Sequence, residues 1–232
     1  PDGKIVVVGS TNIGTQFAVA PFTAAGVPDA TFGSNGTAVS SFPSAASEAE
    51  MVAVAPDGSI ITLGSTTHPT DFALVKFTAA GALDATFGSG GVAPLPASGL
   101  SEPLALALQS DGSALALFGQ IDGLFELERI LPNGTLDPSF GTAGVVIVGL
   151  GGNDYIEERA GLVQLPGGKI MLGLASSTND LVGAAVLVRL TAAGALDATF
   201  GTGGVQTLAV SPGSSAIHAL ALYGGGKLVA VG

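Results

Sequence analysis

The chain of 232 residues has no cysteine and no tryptophan. No disulfide framework, thiolate chemistry or zinc-finger spacing can be built from it, and no indole is present to stack on a sugar ring. Basic residues are scarce. Seven Lys and Arg stand against 18 Asp and Glu, the formal net charge is −11, and no basic cluster occurs. Nucleic acid and anionic membrane surfaces are therefore poor partners on electrostatic grounds. Charged residues of both signs make up only 11% of the chain and hydrophobic ones 47%, with a mean hydropathy of +0.59. Even so, no uninterrupted apolar run approaches the ~18 to 20 residues that span a bilayer. Uncharged stretches such as residues 5–28 are broken by Gly, Pro, Ser, Thr, Asn or Gln. No membrane insertion is expected. The apolar residues come instead in short bursts, as buried strands require.

What the chain has is glycine, 36 residues of it, and self-similarity. One signature returns four times, at residues 27–33, 82–88, 135–141 and 195–201, with aspartates at Asp29, Asp84, Asp137 and Asp197. A period of 50 to 60 residues marks an array of one supersecondary unit. The third unit reads as four antiparallel strands: residues 104–109, 114–119, 124–131 and 135–150. Asp111-Gly112 and Asn133-Gly134 between alternating runs are strong hairpin signals, and both residues of each pair are expected at positive φ. Four-stranded meanders in radial array describe a β-propeller. Blades covered on both faces also explain the shortage of charge. The expected array is one domain: a partial blade over 1–42, blades over 48–97, 102–150 and 158–210, and a partial blade over 216–232. Gly3 and Gly226 occupy the same repeat position, so the chain reads as a window on a larger ring.

The Asp-Gly turn, a Lys or Arg in the third strand, and the element Leu-Asp-x-x-Phe-Gly-x-x-Gly, closing on Gly36, Gly91, Gly144 and Gly204, together resemble the bacterial delta-60 repeat β-propeller family. The resemblance covers essentially the whole chain. Pro28 replaces the Leu of the first copy, and Pro21 stands where the other copies carry Lys or Arg. The resemblance implies a propeller, commonly within large secreted or surface proteins of bacteria, and implies neither an activity nor catalytic residues.

Most ionisable residues fall on repeat positions. Lys76, Arg129 and Arg189 each precede a signature aspartate by eight residues, and a salt bridge or shared turn network is expected within each blade. Pro21 removes that cation from the first blade, which is expected to leave Asp29 bonded to backbone N–H groups alone. Phe32, Phe87, Phe140 and Phe200 are expected as blade-edge anchors.

The off-register polar groups cluster topologically. Loops between second and third strands carry His68, Asp71, Asp122 and Asp180; loops between blades carry Glu48, Glu102 and Glu158, with Glu50, Asp154 and Glu157 beside them. An acidic face around a channel mouth is expected. The longest inter-blade connection, residues 149–161, adds Tyr155 and Arg159. The binding-face candidates are thus Glu48, Glu102, Asp154, Tyr155, Glu158 and Arg159.

Adjacent carboxylates such as Glu157 and Glu158 point oppositely on a strand, against the fixed carboxyl separation of glycoside hydrolysis. His68 and His218 do not sit in a nucleophilic triad pattern. Residues 151–154 are rich in oxygen but lack the spacing of an EF-hand. No cofactor, no metal and no catalytic residue is indicated. The sequence points to a non-catalytic interaction scaffold, secreted or on the bacterial surface, with a protein or glycan partner. A carbohydrate-active hydrolase or lyase using acidic residues at the channel mouth, and a self-assembling structural subunit, are the alternatives.

Overall fold

The computed structural model describes residues 3–11, 16–41, 47–66, 72–95, 99–120, 124–150, 159–177, 183–208, 215–224 and 226–232. The chain divides into two compact units, residues 1–98 with 132–135, and residues 99–131 with 136–232. The first holds two antiparallel meanders. One runs β1 (Ile5–Thr11), β2 (Gln16–Phe22), β3 (Ala38–Ser41); the other runs β4 (Glu48–Val54), β5 (Ile60–Ser65), β6 (Phe72–Phe77), β7 (Val92–Leu95). The second unit holds β8 (Leu100–Leu108), β9 (Ala114–Gln120), β10 (Phe125–Ile130), β11 (Val145–Val148) as one sheet. Its next sheet is β12 (Gly161–Gln164), β13 (Ile170–Ser177), β14 (Gly183–Leu190), β15 (Val205–Leu208), followed by the pair β16 (Ala219–Tyr223) and β17 (Lys227–Val231). Every sheet follows chain order, and the fold is all-β, with the four-stranded antiparallel blades of a partial β-propeller.

Burial follows position within the blade. β5 and β9 are buried at nearly every residue, so both faces are covered and period-two alternation disappears. In the first unit Phe17, Val19, Phe32, Ile60, Val75 and Phe77 form one core cluster. In the second, Leu115, Leu117, Phe125, Leu127 and Phe140 from one sheet meet Ile170, Leu172, Val186 and Val188 of the next.

The fourth strand is shorter than the pattern suggests. Residues 135–144 are not strand: Leu136 makes an isolated bridge to Ile130, and only Val145–Val148 form a ladder with β10. The signature is a compact turn instead. Gly141, Ala143 and Gly144 lie at φ +52°, +54° and +100°, where extended backbone cannot continue. The Asp-Gly turns and Asn133-Gly134 also differ from expectation, because only the glycine has positive φ, as at Gly58 (+83°), Gly112 (+86°) and Gly134 (+84°). Gly58 N–H bonds to the Ala55 carbonyl and Ala55 N–H to the Ser59 carbonyl. Asp57 Oδ1 accepts the Ser59 N–H at 2.8 Å, so the aspartate caps the turn through its side chain.

The signature also joins neighbouring blades. Gly33 N–H donates to the Ala80 carbonyl at 2.9 Å, Gly88 N–H to Asn133 at 2.8 Å, and Gly141 N–H to Ala193 at 2.9 Å. Each acceptor sits one residue before the glycine that ends a third-strand turn: Gly81, Gly134 or Gly194. Those glycines have φ near +85° and touch the joint directly. A Cβ on Gly194 would lie 2.6 Å from Val146 Cγ2 and 3.0 Å from Phe140 Cε2. Gly203 (φ +62°) faces open space, and Ala143 holds the equivalent position in the preceding copy. Gly194→Ala is therefore expected to destabilise the protein by about 2–4 kcal/mol, and Gly203→Ala by about 1 kcal/mol, read from denaturant midpoints at constant slope.

Candidate functional site

The polar centre of each blade is the signature aspartate. Its backbone N–H reaches the carbonyl of the third-strand residue eight positions earlier: Asp29 to Pro21, Asp84 to Lys76, Asp137 to Arg129 and Asp197 to Arg189, each at 2.9 Å. Its Oδ1 accepts the N–H and hydroxyl of the residue two places on: Thr31, Thr86, Ser139 or Thr199. Its Oδ2 takes the cation. Lys76 Nζ stands 3.0 Å from Asp84, Arg129 Nε 2.8 Å from Asp137, and Arg189 Nε 2.7 Å from Asp197. Hydrogen bonds to the charged form stabilise it. The Thr31 hydroxyl first, then Lys4, holds Asp29 down at about 2. The Thr86 hydroxyl and then Lys76 hold Asp84 at about 2. Asp137 is lowered chiefly by Ser139, and Asp197 chiefly by Lys169.

The arginines reach further than their aspartates. The Arg129 guanidinium lies 4.5 Å from the centre of the Phe140 ring, donates through Nη2 to Ser139 Oγ at 3.2 Å, and through Nη1 to the Ala192 carbonyl at 2.6 Å. Arg189 repeats the stacking on Phe200 at 4.7 Å. Phe32, Phe87 and Phe140 are buried, whereas Phe200 is only half-buried. The phenylalanine is thus a wedge beneath the cation at the joint between blades.

The first copy departs from this plan, and also from expectation. Asp29 is not left with backbone donors alone: Lys4 Nζ lies 2.9 Å from its Oδ2. A lysine after the Asp-Gly turn points at the aspartate, a pairing that no local pattern marks because it spans 25 positions. Lys169 does the same for Asp197 at 2.7 Å, alongside Arg189. Where the strand cation is missing, a cavity of about 780 Å³ opens, lined by Lys4, Pro21, Asp29, Phe32, Asp57 and Ala79 among others.

Two carboxyl groups escaped the sequence reading altogether. Glu126 and Glu128 lie on β10 where β6 has Ala73 and Val75 and β14 has Val186 and Val188. Both are buried, on the face of the sheet opposite Phe125 and Leu127. Glu126 accepts a hydrogen bond from the Gln120 amide. Glu128 is 0% exposed and, among the described residues, neither of its carboxyl oxygens has a hydrogen-bond partner other than the neighbouring Glu126 carboxyl. Burial first, and the charge of Glu126 second, push Glu128 up to about 8, and burial raises Glu126 as well. Glu128 is therefore an uncharged acid at neutral pH. Subtracting the repeat pattern at third-strand positions would have exposed both residues.

The residues expected on an acidic face lie on separate elements. Glu48 opens β4 and Glu102 lies within β8, so both are first-strand residues and not loop residues as expected. Glu48 is exposed and Glu102 half-buried. Glu50 accepts the Ser65 N–H at 3.2 Å. Arg159 is exposed. Asp154, Tyr155, Glu157 and Glu158 lie outside the described residues, as do His68, Asp71, Asp122 and Asp180. His218 donates its backbone N–H to the Val231 carbonyl.

Residues 1–32 and 55–87 match the model of a family described as a domain of unknown function (DUF5122) beta-propeller. The match supports a β-propeller family for this chain and agrees with its sheets. No curated protein matches. A crystal structure of a protein of unknown function from Bacteroides caccae is similar over 84% of this chain and 80% of its own, at 13% identity. Its TM-score of 0.38 is too low to carry an inference.

The buried acid makes a prediction about pH. In the unfolded chain Glu128 titrates near its ordinary 4.5, and in the folded chain near 8. Between those values the unfolded state sheds a proton that the folded state keeps, so stability present below pH 4.5 is lost progressively up to pH 8. Glu128→Val, the residue found at Val75 and Val188, is expected to flatten this slope. At pH 8 it should raise stability by a few kcal/mol, at about 1.4 kcal/mol per unit of separation. Urea denaturation of both proteins between pH 4.5 and 8.5 checks it.

Proposed function

We propose that this chain is a non-catalytic β-propeller scaffold of the delta-60 repeat type, part of a secreted or surface-exposed bacterial protein, which presents a polar loop face to a protein or glycan partner. The observation that carries the reading is where the recurrent charges go. Lys76, Arg129 and Arg189 pair with the aspartates of their own blades at 2.6–3.0 Å. Arg129 additionally ties its blade to the turn of the next through Ala192. Charges engaged in every copy hold the geometry of the frame, and a rigid frame is what a binding surface on loops requires.

The buried pair Glu126 and Glu128 supports the same reading over glycoside hydrolysis. Two carboxyl groups flanking a sugar must be reached by it, and Glu128 is fully enclosed. Glu48 and Glu50, both exposed, lie on one strand with a bulge between Ala49 and Met51.

The test is to incubate the chain with arrayed glycans and with soluble polysaccharides, with and without calcium. Saturable binding without release of reducing ends is expected for the scaffold. Release that disappears in Glu48→Gln or Glu102→Gln would overturn it in favour of a carbohydrate-active enzyme.

A further inference from the structure

We propose that the cavity beside Pro21 is a binding slot for an alkylguanidinium group, an arginine side chain or its free equivalent, supplied from outside the chain. The slot is the place that another copy of the repeat fills with its own arginine. Pro21 pairs with Val6 across β1 and β2 as Arg129 pairs with Leu115 and Arg189 with Met171. The Asp29 N–H reaches the Pro21 carbonyl as the Asp137 N–H reaches Arg129. The two blades are thus superposable by hydrogen bonding, and what lies around Arg129 can be read onto the first blade residue by residue.

Around Arg129 four groups receive the guanidinium: Asp137 Oδ2, Ser139 Oγ, the Ala192 carbonyl and the Phe140 ring. Their counterparts are Asp29, Thr31, the Ala79 carbonyl and Phe32. Asp29, Ala79 and Phe32 line the cavity of about 780 Å³. A carboxylate, a carbonyl and an aromatic face form the set that binds a planar, delocalised cation with directional donors, and Asp29, Ala79 and Phe32 are the residues that carry those groups at the first blade. Asp57, which also lines the cavity, adds a second negative charge.

Lys4 does not close the slot. In the fourth copy Lys169 Nζ and Arg189 Nε both lie 2.7 Å from the same Asp197 Oδ2. One signature carboxylate therefore accommodates a turn lysine and a guanidinium together, and the first blade has the lysine without the guanidinium. Pro21 also has no N–H to give to the Gly36 carbonyl, whereas Arg129 N–H reaches Gly144 and Arg189 N–H reaches Gly204. Proline empties the slot and at the same time removes one backbone hydrogen bond of the repeat. This inference goes beyond the scaffold reading, because it specifies a ligand chemistry that holds whatever the larger protein does.

The experiment titrates the intact chain with ethylguanidinium, with the peptide Gly-Arg-Gly and with its neutral citrulline analogue, following backbone amide shifts at residues 29–33 and 79–81. Saturable shifts with the arginine peptide, absent with citrulline, are expected. Pro21→Arg, which restores the repeat residue, should abolish them while retaining the native amide spectrum. Asp29→Asn should weaken binding about tenfold or more, as loss of a charge-assisted bond entails. Equal response to ethylguanidinium and peptide would mark a free small-molecule ligand; response to the peptide alone would mark a partner's side chain. Unchanged binding in Pro21→Arg, equal binding of the citrulline peptide, or no saturable shift with any probe would overturn the proposal. Glycan binding in the preceding test is unaffected by these outcomes, so the two readings fail separately.

Discussion

The structure depends on one carboxylate per blade. A signature aspartate accepts the N–H and hydroxyl of the residue two places on, and a cation from the third strand or from the lysine after the preceding turn. With its side chain fixed, the backbone around it curls into a tight turn. That turn buries a phenylalanine and points the next glycine N–H outward, toward the neighbouring blade. Partly buried charge-assisted hydrogen bonds of this kind are stronger than exposed ion pairs, because the donors are held in place and screening by water is reduced. A polar node only a few atoms across thereby sets the spacing of large apolar sheets, which have no directional preference of their own.

The economy of charge has the same origin. Inner strands such as β5 and β9 are covered on both faces, leaving little room for ionised groups except at the turns. Where a blade breaks this rule, the consequence is visible. Glu128 occupies a valine position, is enclosed beside Glu126, and keeps its proton instead of its charge. Pro21 breaks the rule in the opposite sense, by removing a cation from a node that otherwise has one. Lys4 neutralises Asp29 but does not fill the volume, so a charge balance is restored while a cavity remains. These two departures are the places where this chain differs chemically from its own repeat.

Much of the architecture is legible in sequence because both its period and its turns have local physical causes. Glycines at positive φ, the Asp-x-Thr/Ser cap and short apolar bursts each signal themselves within a few residues. The extent of the fourth strand is not legible in the same way: residues 135–150 look like one extended run, yet Gly141, Ala143 and Gly144 adopt left-handed backbone. The pairing of Lys4 with Asp29 spans 25 positions and depends on where the sheet returns. Glu48 and Glu102 look like loop residues because they precede the strongest apolar stretches, but the first strands begin earlier, at Glu48 and Leu100. Glu126 and Glu128 carry no local sign of burial. Charged residues alternating with Leu resemble a half-exposed strand, and only alignment with Val75 and Val188 reveals that this position faces a covered side.

The central claim is that the strand cation and the signature aspartate act as one coupled unit that holds the joint. The direct measurement is a double-mutant cycle on Arg129→Met and Asp137→Asn by urea denaturation at neutral pH. A coupling energy of about 1–3 kcal/mol is predicted for a partly buried pair in which Arg129 Nε and Nη2 converge on Asp137 Oδ2. Additive losses, with coupling near zero, would contradict the account and reduce these charges to decoration of a purely apolar assembly.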